Sequence, residues 1–147
     1  MRFVLLVAMT AIFSIQASNS IAQPPLPEWR LSQNNPNPFC NKSTAPDIGY
    51  ALAQPSFVAL NVWSPDTTYV VRSILNMYQS AGSYMVRWDG RDNSGELVTQ
   101  GDYPYSLTAY EEEGGPILFE DMLVASVRCE PTSNEAATWG RIKSLFK

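Results

Sequence analysis

The chain has 147 residues, 45% of them hydrophobic, with 14 acidic and 10 basic side chains and a formal net charge of −4. That length suits one domain. The scattered basic residues argue against a nucleic-acid partner, which needs clustered Lys and Arg to neutralise phosphates. The chain contains no histidine, so the commonest general base and metal ligand is missing.

Residues 1–22 read as a signal peptide. Arg2 supplies the positive charge, Phe3 to Ile15 the apolar run, and Ser20-Ile21-Ala22 the small residues before cleavage. The run is short and interrupted for a membrane span, which leaves an N-terminal anchor as the alternative. Residues 23–37, rich in Pro, Asn and Gln, read as an extended leader ahead of a domain over 38–130.

From Ile48 the apolar residues recur with a period of two, the mark of half-buried strands. The runs are Ile48, Tyr50 and Leu52, then Val58, Leu60 and Val62, then Tyr69 and Val71, whose phase Val70, Ile74 and Leu75 blur. Tyr84, Val86 and Trp88 follow, then Tyr103, Tyr105, Leu107 and Ala109, and finally Leu118 to Val127. Turn residues fall between them, as in Ser64-Pro65-Asp66, Asp89-Gly90, Asn93-Ser94-Gly95 and Gly114-Gly115-Pro116. Strands broken roughly every 8–12 residues indicate an all-β sandwich of about seven strands. Its aromatic side chains bury about 150–250 Å² each.

Residues 131–147 differ. Thr132 and Glu135 have capping-box spacing, and Trp139, Ile142, Leu145 and Phe146 recur at helical intervals. A short C-terminal amphipathic helix is expected, weakened at Gly140 by about 1 kcal/mol. Its apolar stripe would pack on its own sandwich, bind a partner, or lie on a membrane. The last is disfavoured, because three cations on a short helix hold anionic lipid weakly.

The segment "SYMVRWDGRDNSGELVTQGDYPYSL", residues 83 to 107, gathers many oxygen donors. Asp89, Asp92 and Asn93 are candidates for weak cation binding. A turn reversing the strand that ends at Trp88 into one starting near Leu97 accounts for the same residues, and Glu96 comes too early for the acidic twelfth position of an EF-hand loop. The turn is the simpler reading, with no metal and no cofactor. No nucleophile elbow, phosphate-cradling loop or zinc spacing appears, so no catalytic residue is assigned. Glu111-Glu112-Glu113 reads as a solvated hairpin tip, with an acidic docking patch as the alternative.

Cys40 and Cys129 are the only cysteines. Behind a signal peptide they enter an oxidising compartment, where a pair usually forms a disulfide. Free thiols are the alternative, and the spacing is not that of a redox-active pair. If the terminal strands pair antiparallel, the bridge is direct. If they pair parallel, the cysteines lie at opposite ends and only a flexible lead-in brings Cys40 round.

"LSQNNPNPF" (Leu31 to Phe39), "IGYALAQPSFVALNVWSP" (Ile48 to Pro65) and "AGSYMVRWDGRDNSGELVTQGDYPYSLTA" (Ala81 to Ala109) together resemble one family. They look like the FlgD-type immunoglobulin-like domain, a pattern shared by the type A C-terminal sorting domain of the bacterial type IX secretion system. The motif positions are Asn35, Pro36, Asn37, Pro38, Phe39, Trp88, Asp89, Gly90, Asp92, Gly95, Gly101, Tyr103 and Tyr105. Cys40 and Asn41 stand where the family usually continues with Asn-Pro.

The resemblance implies an immunoglobulin-like β-sandwich without enzymatic activity. It implies a bacterial protein, secreted or periplasmic or at the cell surface, whose partner is another protein or the secretion machinery. A structural or binding module is the first expectation. A cargo-less sorting domain is the second, because eight residues separate Ala22 from Leu31, and an enzyme of unknown type is the third.

Overall fold

A computed structural model describes residues 28–130. The expected signal peptide, the first part of the expected leader, and the expected C-terminal helix with Trp139, Ile142, Leu145 and Phe146 lie outside the described residues. Seven strands follow in order: β1 (Arg30–Leu31), β2 (Asp47–Leu52), β3 (Ser56–Trp63), β4 (Val70–Gln79), β5 (Gly82–Arg87), β6 (Gly101–Tyr110) and β7 (Ile117–Val127). They form two sheets, ordered β1-β2-β5 and β4-β3-β6-β7, with every strand pair antiparallel. The described residues are therefore all-β, as the alternation requires.

The period-two pattern becomes burial directly. In β3 the residues Ser56, Val58, Leu60 and Val62 are buried and the intervening ones half-buried. Ile48, Tyr50 and Leu52 from β2, with Tyr103, Tyr105, Leu107 and Ala109 from β6, complete the core between the sheets. An antiparallel sandwich of this kind buries one face of each sheet and leaves the other to solvent.

Three expectations are corrected. The blurred phase of the third run has a cause, two irregularities in the β3–β4 ladder. Leu60 pairs with Leu75 and Asn61 with Ser73, leaving Ile74 over; Val62 pairs with Arg72 and Trp63 with Val70, leaving Val71 over. Each extra residue shifts the inward set. Tyr69, expected to alternate inward with Val71, lies before the strand and is 62% exposed.

Secondly, the strand ending at Trp88 does not reverse into one near Leu97. β5 pairs with β2, Arg91 and Leu97 form one isolated bridge, and the next strand, β6, belongs to the opposite sheet. The loop crosses between sheets, which turn residues alone do not reveal.

Thirdly, the leader is not separate from the sandwich over its described part. Leu31 pairs with Tyr50, Asn35 with Asp47, and both Leu31 and Asn34 are buried. The sandwich begins by Arg30, ahead of the expected boundary at residue 38.

Candidate functional site

The Asn-Pro-Asn-Pro-Phe segment lies along the outer edge of β7. An edge strand presents unpaired backbone groups, and this segment meets them one after another. Gln33 Nε2 donates to the Val124 carbonyl at 2.8 Å, and Asn37 Nδ2 donates to the same oxygen at 3.3 Å. Ser126 N donates to Asn37 Oδ1 at 2.8 Å. Phe39 N donates to the Ser126 carbonyl at 3.0 Å, and Arg128 N donates to the Phe39 carbonyl at 2.8 Å. The Asn37 side chain thus imitates a strand's own amide. Both Asn35–Pro36 and Asn37–Pro38 peptide bonds are cis.

The same segment reaches the core through Asn34. Its backbone N donates to Tyr105 Oη at 2.9 Å, and Tyr105 Oη donates to the Ser32 carbonyl at 2.8 Å. Burial pushes the Tyr105 phenol up to about 12, offset in part by the Asn34 amide and assisted by nearby Asp121.

Phe39 and Val127 form a parallel bridge, which sets Cys40 beside Cys129. The two are bonded, with an S–S distance of 2.09 Å and Cα atoms 4.6 Å apart, inside the range a disulfide requires. The contact is parallel, the case in which only the lead-in brings Cys40 round to Cys129, and the lead-in, not the first long strand, makes it.

Beneath the bridge three rings meet edge to face. Phe39 packs on Trp88 at 5.6 Å between centroids and Trp88 on Tyr103 at 5.7 Å. Trp88 is almost fully buried, and its Nε1 donates to the Arg91 carbonyl at 2.9 Å, so the polar tip of the ring is satisfied. Tyr103 Oη donates to the Thr99 carbonyl at 2.8 Å.

The loop from Asp89 to Thr99 is organised by its own carboxylates. Asp89 Oδ1 accepts from Arg91 N at 3.1 Å, and Asp92 Oδ1 accepts from Ser94 N at 2.9 Å and Glu96 N at 3.0 Å. These are turns in which the side chain bonds the backbone just ahead. Asn93 faces the other way, closing the start of the β4 edge: its N donates to the Val71 carbonyl at 2.9 Å, and its Oδ1 accepts from Ser73 N at 3.0 Å. Among the described residues no three His, Cys, Asp or Glu side chains stand close enough to hold a metal ion together. Between this loop and the start of β4 runs an open groove of about 700 Å³, walled by Tyr69, Val71, Asp92, Glu96, Leu97 and Tyr103.

The motif glycines serve different needs. Gly90 (φ 72°) and Gly95 (φ 84°) occupy the left-handed region. Gly101 opens β6 at ordinary contact distance, where a Cβ would meet Tyr103 Cε2 at 3.4 Å. Sequence reasoning missed three polar residues that the structure uses, Gln33, Asn34 and Asn41. Asn41 Nδ2 donates to the Val98 carbonyl at 2.8 Å and to Gly90 O at 3.3 Å, tying the disulfide region to the loop. Gln33 and Asn34 fall within the lead-in LSQNNPNPF and Asn41 two residues after it, but their residue types do not name the groups they bond. At the β6–β7 tip, Glu111 N donates to the Pro116 carbonyl and Gly115 N to the Glu112 carbonyl, with all three glutamates exposed.

Among protein families, residues 42–113 match the FlgD Ig-like domain. No curated protein matches the chain. The matched stretch runs from β2 through β6 to the acidic tip, so it includes the Trp88 loop. The lead-in, both cysteines and β7 lie outside it. Over residues 42–113 the chain is therefore similar to the FlgD Ig-like domain, a non-enzymatic type of structural or binding module.

Proposed function

We propose that this chain is an exported, non-catalytic protein-binding or structural module of a bacterial envelope or extracellular assembly. The Cys40–Cys129 bond supports an oxidising, extracytoplasmic setting. Among the described residues no helix is long and apolar enough to cross a membrane.

One observation carries the binding role, the contrast between the two edges of the larger sheet. Gln33, Asn37 and Phe39 cover the end of β7. β4, at the other edge, is closed by Asn93 at its start, but from Ile74 to Gln79 it has no charged residue and exposes Met77 and Tyr78. Natural edge strands are normally guarded by charge, proline or a covering segment. An unguarded one accepts an added strand from a partner, with main-chain hydrogen bonds giving affinity. The partner is an extended, uncharged polypeptide segment.

A photo-crosslinking residue in place of Asn76 tests this in the native host, with the same residue in place of Ser83 as control. A discrete protein adduct from position 76 alone is the expected result. Equal labelling from both positions would remove the binding role.

A second reading is the sorting domain of type IX secretion. It is favoured by the exposure of Asn35, Pro36, Asn37 and Pro38, which leaves that motif accessible to machinery. The bonds that Asn37 makes to β7 weigh toward anchoring instead. Fusing residues 23–147 behind a periplasmic reporter separates the two. Appearance of the reporter in the medium of a type IX-competent host, and not of a deficient one, would establish sorting.

A further inference from the structure

β4 is itself an extended, uncharged segment from Ile74 to Gln79, the kind of strand its own edge accepts. Asn93 occupies only the start of that edge, donating to the Val71 carbonyl at 2.9 Å and accepting from Ser73 N at 3.0 Å. Ser73 therefore directs its N–H outward, away from β3. Along an antiparallel strand, pairs bonded across the ladder alternate with pairs that are not. Asn61 meets Ser73, Ala59 meets Asn76 and Phe57 meets Tyr78. Asn76 and Tyr78 thus direct their N–H and C=O outward as Ser73 does. Among the described residues no backbone group bonds them on that side.

The side chains of this stretch split between the two faces of the sheet. Met77 pairs with core residue Val58, so it sits at the rim of the inner face, 50% exposed. Tyr78 pairs with Phe57 on the outer face and is 57% exposed.

We propose that the strand added at β4 is β4 of a second copy of this chain, joined antiparallel about a two-fold axis that passes through Met77 perpendicular to the sheet. This rests on the reading of β4 as a strand-accepting edge. In this register Asn76 of each copy faces Tyr78 of the other, and their outward groups bond mutually. Met77 stands beside its counterpart at the close spacing of a non-hydrogen-bonded pair, and Leu75 faces Gln79. Ser73 faces Ala81, where the second chain has left β4 and not yet entered β5. Asn93 therefore keeps its place beside Ser73, and the stretch it leaves open is the stretch that self-pairs.

Two features select a second copy over a different protein. Across a two-fold axis a charge near the contact meets its own sign, so a self-pairing strand has to be uncharged. A strand that meets another protein gains instead from opposite charge. The second feature is closure. The far edge of the sheet, at β7, is covered by Gln33, Asn37 and Phe39. The contact therefore gives one continuous sheet, β7-β6-β3-β4-β4-β3-β6-β7, that ends at two copies and does not grow into a filament. About five residues pair on each side, fewer than the roughly 20–30 of a standard interface, so the dimer depends on concentration.

The test places the photo-crosslinking residue at Asn76 in the whole protein, purified from its native host and irradiated alone. The expected product is an adduct of twice the chain mass whose linked peptides both come from β4, with a yield that rises with concentration. Met77→Lys and Met77→Glu, each at a half-exposed position, set like charges against each other across the axis. Each alone is expected to lower the adduct several-fold, and mixing the two variants is expected to restore it, which also shows that both are folded. Absence of a self-adduct mapping to β4 would overturn the proposal, and so would a yield unchanged in the two charged variants. A discrete adduct in the host to another protein, without the self-adduct, would leave β4 as a strand-accepting edge and remove the second copy. Loss of any adduct specific to position 76 would remove both.

Discussion

Gly90 and Asn41 are packed so closely that a Cβ on Gly90 would lie 2.2 Å from Asn41 Cβ. The contact lets Asn41 Nδ2 reach the Val98 and Gly90 carbonyls and so join the disulfide region to the Trp88 loop. It also separates Gly90 from Gly95, which has a similar φ but nothing within 4 Å of its would-be Cβ. Gly95→Ala should cost about 1–2 kcal/mol, the left-handed penalty alone. Gly90→Ala should cost clearly more, because Asn41 must move as well. Urea denaturation of the two variants compares them, and equal losses would mean the Asn41 contact is immaterial.

Trp88 supports Phe39 on one side and Tyr103 on the other. Trp88→Ala should cost about 3–5 kcal/mol, the range for a buried aromatic. A loss below about 1 kcal/mol would show that the ring does not bear on the core.

Tyr105 gives a pH-dependent test. Its Oη accepts the buried Asn34 amide and donates to the Ser32 carbonyl. Tyr105→Phe strands that amide, at a cost of roughly 1–3 kcal/mol. The folded phenol titrates at about 12, above its ordinary value of 10.0. The neutral form is thus favoured by folding. Its contribution is complete below pH 10 and is lost as pH rises toward 12. Alkaline unfolding monitored by circular dichroism should therefore be less steep in Tyr105→Phe. Identical pH slopes would rule out this linkage.

The bond between Cys40 and Cys129 closes a sequence separation of 89 residues. Non-reducing peptide mapping of the protein from its native host should recover the two in one linked fragment. Cys40→Ser should lower stability by about 2–5 kcal/mol, as loss of a native disulfide does. Two alkylatable thiols in the native protein would contradict this.

Calcium should leave the melting temperature unchanged, because Asp92 Oδ1 is occupied by the Ser94 and Glu96 amides. Asp92→Ala should lower stability by about 1 kcal/mol through loss of the turn. A saturable calcium-dependent rise in Tm that disappears in Asp92→Asn would identify an ion site.

Much of the site was legible in residue types. Trp88 at the end of an alternating run, the glycines of its loop, and a single pair of cysteines each announce themselves locally. Gln33, Asn34 and Asn41 do not. Their amides bond backbone carbonyls or hydroxyls far away in the chain, and any carbonyl accepts an amide whatever side chain it carries.

The same division runs through the fold. Period two and the turn residues determined that the chain forms strands and roughly where each lies, because side-chain direction alternates within a strand by local geometry. Only the tertiary structure decided which sheet each strand joined, where β4 bulged, and that Asn37 would stand in for a strand beside β7. Those outcomes depend on backbone groups brought together across the chain. Backbone N–H and C=O are alike at almost every residue, so their partners are selected by packing of the whole sandwich and not by the letters beside them.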